Sequence, residues 1–491
     1  MPLVSSPKAG VWKHLITVTA VGLSAAVASC TVNPATGQKQ FTGFMPASQE
    51  ASIGASEHEK IVAAYGGTIK GPVADYVGRI GQTLAKNTER ADVTYTFTVL
   101  DSPVVNAFAL PGGYVYVSRG LIALANNEAE LAGVIAHEIG HVTGRHSAAR
   151  TSQGAVIGLG AAILSAATGS QALGQVANVG SDLYIKSYSR GQEMEADDLG
   201  IRYLSRAGYD PRAMASFLAS LDAQTKLDQR VAGKEGSDLP GYLSTHPVTS
   251  DRVNNATAIA ANYQGGQNLL NREPFMQAVN GIVYGDSADQ GFVRGNTFYH
   301  PAMGFAFDIP QGFEVQNNPS ELLAVHSNGS VLIFDSGRDN SARDPLSYLT
   351  QVWMKDAPAS NPESVTINGM RAATAAFAGT ANGKSVSIRV VAIEWNPGQF
   401  FRFQMAIPQN AGTDVVEGMK RTTYSFRKMS ESEKNGVKPL HVRIVKAGAG
   451  DTAATLGAKM QFPSYKEERF RVLNAVSGPL VAGQSYKIVT Q

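Results

Sequence analysis

Apolar residues recur at helical spacing over about 46–65 and 72–88, which predicts two amphipathic helices. Then the period changes. Val93, Tyr95, Phe97 and Val99 alternate with polar positions, the pattern of a half-buried strand. Two more strand-like runs, Val105–Leu110 and Tyr114–Val117, flank a Pro111-Gly112-Gly113 turn. An ordinary hairpin fits these residues, and so does an edge strand that receives an extended peptide. Helical spacing returns at Leu131, Val134, Ile135, Ile139 and Val142. Asn127 is placed as N-cap, and Glu130 completes a capping box. Residues 154–178 are rich in small and apolar types. Ser165, Thr168, Ser170, Gln171 and Gln175 break that run short of the roughly 18–20 residues a membrane span needs. It reads as small-residue helices near the site, or a mobile segment over it. A further helix runs from Ser189 to about Arg206. Beyond it, Phe, Val and Ile alternate between Gly, Pro and Asn turns over 275–428, and apolar runs return at Val442–Val445, Phe470–Leu473 and Leu480–Val489 within 438–491. The predicted class is α+β: a mainly helical domain with a small sheet over 46–265, a mainly β domain over 275–428, and a small βααβ module.

Composition refines this picture at one end of the chain. A length of 491 residues with 43% hydrophobic and 17% charged residues suggests about two to four domains with substantial cores. The net charge of +2, without basic runs, gives no sign of nucleic acid. Lys8 and Lys13 precede an apolar stretch, Leu15 to Val27, that is short for a membrane span. It ends in Val27-Ala28-Ser29-Cys30, and Cys30 is the only cysteine, so no internal disulfide framework exists. The stretch resembles a bacterial lipoprotein signal peptide (1–29) with Cys30 as the lipidated residue. Thr31, rather than Asp, follows, and that resemblance implies the periplasm-facing leaflet of the outer membrane. Residues 30–45, polar with Pro and Gly, read as a tether.

The helix carrying Leu131 to Val142 also carries His137-Glu138-x-x-His141. Positions four apart lie above one another on a helix, so two imidazoles can grip one metal ion. The carboxylate beside the first can reach a water at that metal, the arrangement of zinc hydrolases. An amphipathic helix with two histidines satisfied elsewhere has the same spacing. A third protein ligand is needed. The metzincin motif wants a histidine at 147, which is Ser; His146 is one place early, a shift of about 100° around a helix. No Glu stands at the short spacing of about twenty residues used by thermolysin-like enzymes. Glu193 and Asp197, four apart on the later helix, share a face. A ligand backed by an orienting carboxylate fits them, and so does a solvated acidic face.

Ala-His137-Glu138-Ile-Gly-His141-Val-x-x-Arg-His146, followed by Ser-Arg-x-x-Glu193-x-x-Ala-Asp197, resembles the zinc metallopeptidases related to HtpX and the CAAX prenyl endopeptidases. The likeness is to their soluble periplasmic lipoprotein branch, with BepA-type enzymes. Asn106-Ala107-Phe108-Ala109-x-Pro-Gly-Gly and Thr245-His246-Pro247 match further family patterns, and the likeness covers roughly 31–262. It implies a zincin-type peptidase domain with one Zn2+ held by His137, His141 and Glu193. Glu138 is then the general base and Asp197 the support of the ligand shell. Asn106, Ala107, Phe108 and Ala109 lie on the edge strand that binds polypeptide substrate.

His246 is open to three readings: a turn histidine before Pro247, a loop ligand at the metal's fourth position, or a donor to the tetrahedral intermediate. Arg252, permanently charged, suits the last role better. His58, His300, His326 and His441 carry no motif and are expected to be structural or exposed. In the last module, Gly450-Asp451-Thr452 and the spacing of Asn474 to Gly483-Gln484 resemble LysM modules, which implies contact with peptidoglycan; a structural βααβ cap also fits. The reading is a periplasm-facing zinc endopeptidase. A zinc amidase acting on peptidoglycan peptides and a chaperone-like binding protein with a latent site are the alternatives.

Overall fold

The computed structural model describes residues 30–90, 92–155, 187–233, 242–247, 250–263, 266–357, 360–381 and 383–491. The signal-like stretch 1–29 and residues 156–178 of the small-residue stretch lie outside them.

Residues 30–45, read as a tether, instead fold against the domain. Strands β1 (Cys30–Val32) and β2 (Lys39–Phe41) pair antiparallel, with Cys30 opposite Phe41. Asn33 Oδ1 accepts from the amides of Ala35 and Thr36 and closes the turn. Arg145 then pins the hairpin, donating to Met45 O at 2.8 Å and Thr42 Oγ1 at 3.2 Å. The polar residues that suggested a solvated tether are the ones making these bonds.

Helices α1 (Ala47–Ala64) and α2 (Pro72–Ala85) occupy the predicted positions. Strands β3 (Thr96–Leu100), β4 (Ala107–Leu110) and β5 (Tyr114–Ser118) form a sheet in the order β3-β5-β4. β3 is parallel and β4 antiparallel to β5, so β4 lies at an edge. β3 starts later than the apolar alternation because its pairing with β5 begins at Thr96 opposite Tyr114. Gly112 takes φ +82 in the turn, and a Cβ there would lie 2.5 Å from Ala51 Cα, so the turn packs directly on α1.

After α3 (Arg119–Leu124), the motif helix α4 (Glu128–Thr143) is capped by Asn127, whose Oδ1 accepts from Glu130 N at 2.9 Å. The Glu130 carboxylate reaches past Asn127 to Asn126 N at 2.8 Å, one residue upstream of the expected box. The predicted stripe is buried, and so is every residue from Ala129 to Thr143. A helix enclosed on all sides is central to its domain. Around it stand α5 (Arg190–Arg206), α6 (Ala213–Val231), α7 (Tyr242–Thr245) and α8 (Ser250–Ala260). α4 and α5 approach closely at glycines: a Cβ on Gly140 would lie 3.0 Å from Ala196 O, and one on Gly200 3.1 Å from His137 N.

The mainly β domain starts later than 275. In α9 (Arg272–Val279), Phe275 and Val279 join the core around α4. β6 (Val283–Tyr284) pairs with a C-terminal strand. The β domain proper begins at β7 (Phe292–Arg294), with β8 (Thr297–His300) and β9 (Phe305–Asp308) in a four-stranded sheet completed by Arg427–Lys428. A seven-stranded antiparallel sheet spans Phe313–Pro408. Phe305, Phe307, Phe334, Phe401, Phe403 and Phe426 share its aromatic core. Leu440–Lys446 and Ser485–Thr490 pair antiparallel, with helices Ala453–Ala458 and Lys466–Leu473 between them, the βααβ order expected. Lys487 of the last strand is fully buried. Its ammonium donates to the carbonyls of Ala123, Leu124 and Ala125 at 2.7–3.0 Å, at the end of α3 where the helix dipole is negative. Among the described residues, no helix is long and apolar enough to cross a membrane.

Candidate metal centre

α4 presents His137 and His141 one turn apart, α5 brings Glu193, and the residue after α7 is His246. One ligand atom from each of these four buried side chains lies within 4.8 Å of the other three. The two Nε2 atoms of α4 are 3.0 Å apart. Glu193 oxygens lie 3.6 Å from each of them. His246 Nδ1 lies 2.9 Å from Glu193 Oε1 and 3.4 Å from His137 Nε2.

The surroundings fix what these atoms offer. His137 Nδ1 donates to Asp197 Oδ1 at 2.8 Å, which leaves Nε2 with its lone pair. His141 Nδ1 faces His146 Nδ1 at 2.7 Å and likewise turns Nε2 inward. Two imidazole nitrogens and a carboxylate converging on one buried point form a donor set that could hold a cation. Two or three imidazoles with one carboxylate suit zinc. Both oxygens of the fully buried Glu138 lack a hydrogen-bond partner. Burial pushes its carboxyl above the usual range, against the pull of His246 and His137. Such an orphaned carboxylate beside a metal group is placed to take a proton from a water there.

The four groups share one electrostatic balance. Burial works against charge on both Glu193 and Asp197, but His246, His137 and Arg252 outweigh it at Glu193, and Arg252 and His137 at Asp197, so both carboxyls lie below their usual values. Burial also disfavours a charged His246, yet the Glu193 and Glu138 carboxylates raise its pKa. For His141, burial and the neighbouring imidazoles act together and hold it well below the usual value.

Arg252 occupies a different place from the transition-state donor expected of it. Its Nε and Nη2 donate to Asp197 at 2.8 Å each, and Nη1 lies 2.8 Å from Glu193 Oε2 and 3.1 Å from Pro247 O. The guanidinium sits behind the two carboxylates and braces both. Two buried carboxylates need a permanent opposite charge, and a planar fork can meet both at once.

Asn106, Ala107, Phe108 and Ala109 are buried at the edge strand. Ala109 to Gly112 line one side of a small cleft, with His141 and Arg145 on the other. Tyr242 N donates to Val105 O at 2.8 Å, which ties the His246 segment to the strand's other end. There a cavity of about 300 Å³ is lined by Asn106, Ser244 and Thr245 and by Asn317–Pro319 of the β domain. Two aromatics with no motif were missed: Tyr188 stacks on His141 at 3.8 Å and Tyr242 on His246 at 4.5 Å. His58, bonded to Tyr116 at 2.8 Å, and His326, which accepts from Asn328 N in a turn, lie outside the metal group. His300 and His441 lie outside it as well.

The model of peptidase family M48 matches residues 73–260, the segment that carries this group and its edge strand. That segment is similar to M48 peptidases. The chain is 32% identical over 193 residues to a beta-barrel assembly-enhancing protease of Yersinia pestis, covering 38% of each chain. It is 34% identical over 195 residues to the protein of that name from Escherichia coli (strain K12), again 38% of each. It is 37% identical over 162 residues to the mitochondrial metalloendopeptidase OMA1 of Arabidopsis thaliana, covering 33% of this chain and 30% of that one. The alignments span less than half the length of these relatives.

Proposed function

We propose that this chain is a zinc-dependent endopeptidase that cleaves envelope or misfolded polypeptides in the periplasm, tethered by lipid on Cys30 to the outer membrane. The observation that carries the reading is the Glu138 carboxylate, without a hydrogen bond and with His246 Nε2 3.7 Å away, buried against the convergent His137, His141, Glu193 and His246. One zinc ion per chain held there supplies Lewis acidity toward a water and the scissile carbonyl. Glu138 takes the proton of the attacking water and delivers it to the leaving amine. Asp197, braced by Arg252, holds the His137 ring in the tautomer that leaves Nε2 free. β4 offers an edge to which an extended substrate can add as a strand. The names of the relatives, an assembly-enhancing protease and a metalloendopeptidase, support the class of reaction.

One observation favours a second reading of the state seen here. His246 offers a fourth donor, and a catalytic zinc keeps one position for water or substrate. The site is then latent until the Tyr242–Thr245 segment moves away. Zinc content and cleavage of denatured casein, measured on wild type and His246→Ala, separate the readings. Stoichiometric zinc with little turnover, relieved by His246→Ala, establishes latency; loss of cleavage in His246→Ala makes the residue part of the working site. Digestion of purified sacculi beside casein tests the amidase alternative: release of peptides from sacculi with casein left intact contradicts the endopeptidase reading. Retention of the purified chain on sacculi tests whether the βααβ module binds glycan.

A further inference from the structure

The two metal-facing histidines are not supported in the same way. His137 meets a carboxylate directly, at Asp197. His141 meets another imidazole, and the bonds continue: His146 Nε2 lies 3.2 Å from Glu195 Oε1, which accepts from Asn33 Nδ2 at 2.5 Å. With His141 Nε2 turned to the metal group, its proton is on Nδ1 and is donated to His146 Nδ1. His146 then carries its own proton on Nε2 and donates it to Glu195, an acceptor only. Each member of the chain therefore dictates the protonation of the next.

The backbone is shaped to put His146 there. Arg145 adopts φ +56, left-handed for a residue with a side chain, and its guanidinium holds Glu50 at 2.7 Å and the N-terminal hairpin. Gly144 leaves room for the ring: a Cβ would lie 2.5 Å from His146 Nε2. His146, one position off for a metzincin ligand, thus folds back beneath His141 and faces away from the metal.

We propose that His146 and Glu195, the latter held by Asn33 of the N-terminal hairpin, are positioning residues that fix the ring and tautomer of His141 for zinc. This rests on the zinc reading above. It makes the hairpin next to Cys30 a working part of the metal centre, reached through a histidine–carboxylate pair.

The test is zinc affinity of the full chain by competition with a chromogenic chelator, with melting of the zinc-free protein as the control for folding. His146→Phe keeps the ring but loses both nitrogens; it is expected to weaken zinc binding roughly 10–100-fold while zinc-free melting changes little. Glu195→Leu is expected to fall in the same range, and Glu195→Gln, which keeps an acceptor for His146, to recover most of the loss. If His146→Phe does not fold, the contrast between Glu195→Leu and Glu195→Gln carries the test. Wild-type affinity in both His146→Phe and Glu195→Leu overturns the proposal and leaves the zinc site standing. A wild type that binds no zinc overturns both.

Discussion

Glu138 is a buried carboxylate without a hydrogen bond, and Arg252 is a buried cation with two carboxylates. A buried charge without compensation costs several kcal/mol; Glu138 has only His246 Nε2 at 3.7 Å, and Arg252 is itself the compensation of two carboxylates. Arg252→Met is expected to cost the zinc-free protein about 3–5 kcal/mol at neutral pH, read by urea unfolding. Its pH dependence has a definite sign. Asp197 and Glu193 have pKa values lowered by folding, so the stability they bring is fully present above their unfolded values. It is lost as pH falls through their folded ones. The penalty of Arg252→Met should therefore shrink on acidification through the carboxylate range; a penalty that grows there counts against the bracing role. At this scale the sequence was legible where chemistry and spacing coincide. His137, Glu138 and His141 share one helix, and i,i+4 geometry is local. Glu193, on another helix, needed the family pattern. Arg252 was assigned to substrate because a side chain's partners across the fold leave no mark in its spacing, and Tyr188 and Tyr242 had no pattern at all.

Elements meet here at distances that only glycine allows. α4 and α5 cross where Gly140 faces Ala196 and Gly200 faces the backbone of His137. Gly140→Val is expected to push the helices apart, costing about 1–3 kcal/mol and weakening zinc binding, since Glu193 rides on α5 and both histidines on α4. Unfolding and chelator competition together check this; a stability loss with intact zinc affinity separates packing from ligand geometry and contradicts the link. Helix positions were readable from periodicity and caps, as at Asn127. The reach of Glu130 to Asn126 was not, because a box is defined by sequence offset and the side chain takes whichever amide is near. The N-terminal hairpin was read as tether because its hydrogen-bond partners, Arg145 and Glu195, lie far along the chain.

In the whole molecule, the last strand is bound to the first domain by Lys487. Its ammonium fills three carbonyls at the end of α3, a turn before the metal helix starts. Lys487→Met leaves those acceptors without a donor and is expected to cost about 3 kcal/mol in unfolding of the full chain. Faster hydrogen exchange at the start of α4 should accompany the loss; exchange faster only within the βααβ module would show the contact to be peripheral. The succession of a helical and a β unit was visible in the period of the apolar residues, whereas the βααβ order came from the likeness to LysM modules. The boundary near 275 was not, because Phe275 and Val279 are buried by the earlier domain while lying next in sequence to the later one. One zinc per chain worked by Glu138 is tested by zinc content together with casein cleavage for wild type, His246→Ala and each combined with Glu138→Gln. Stoichiometric zinc is expected in wild type and in Glu138→Gln, with cleavage by wild type or His246→Ala that Glu138→Gln removes almost completely. Cleavage that survives Glu138→Gln, or a chain that takes up no zinc, would contradict it.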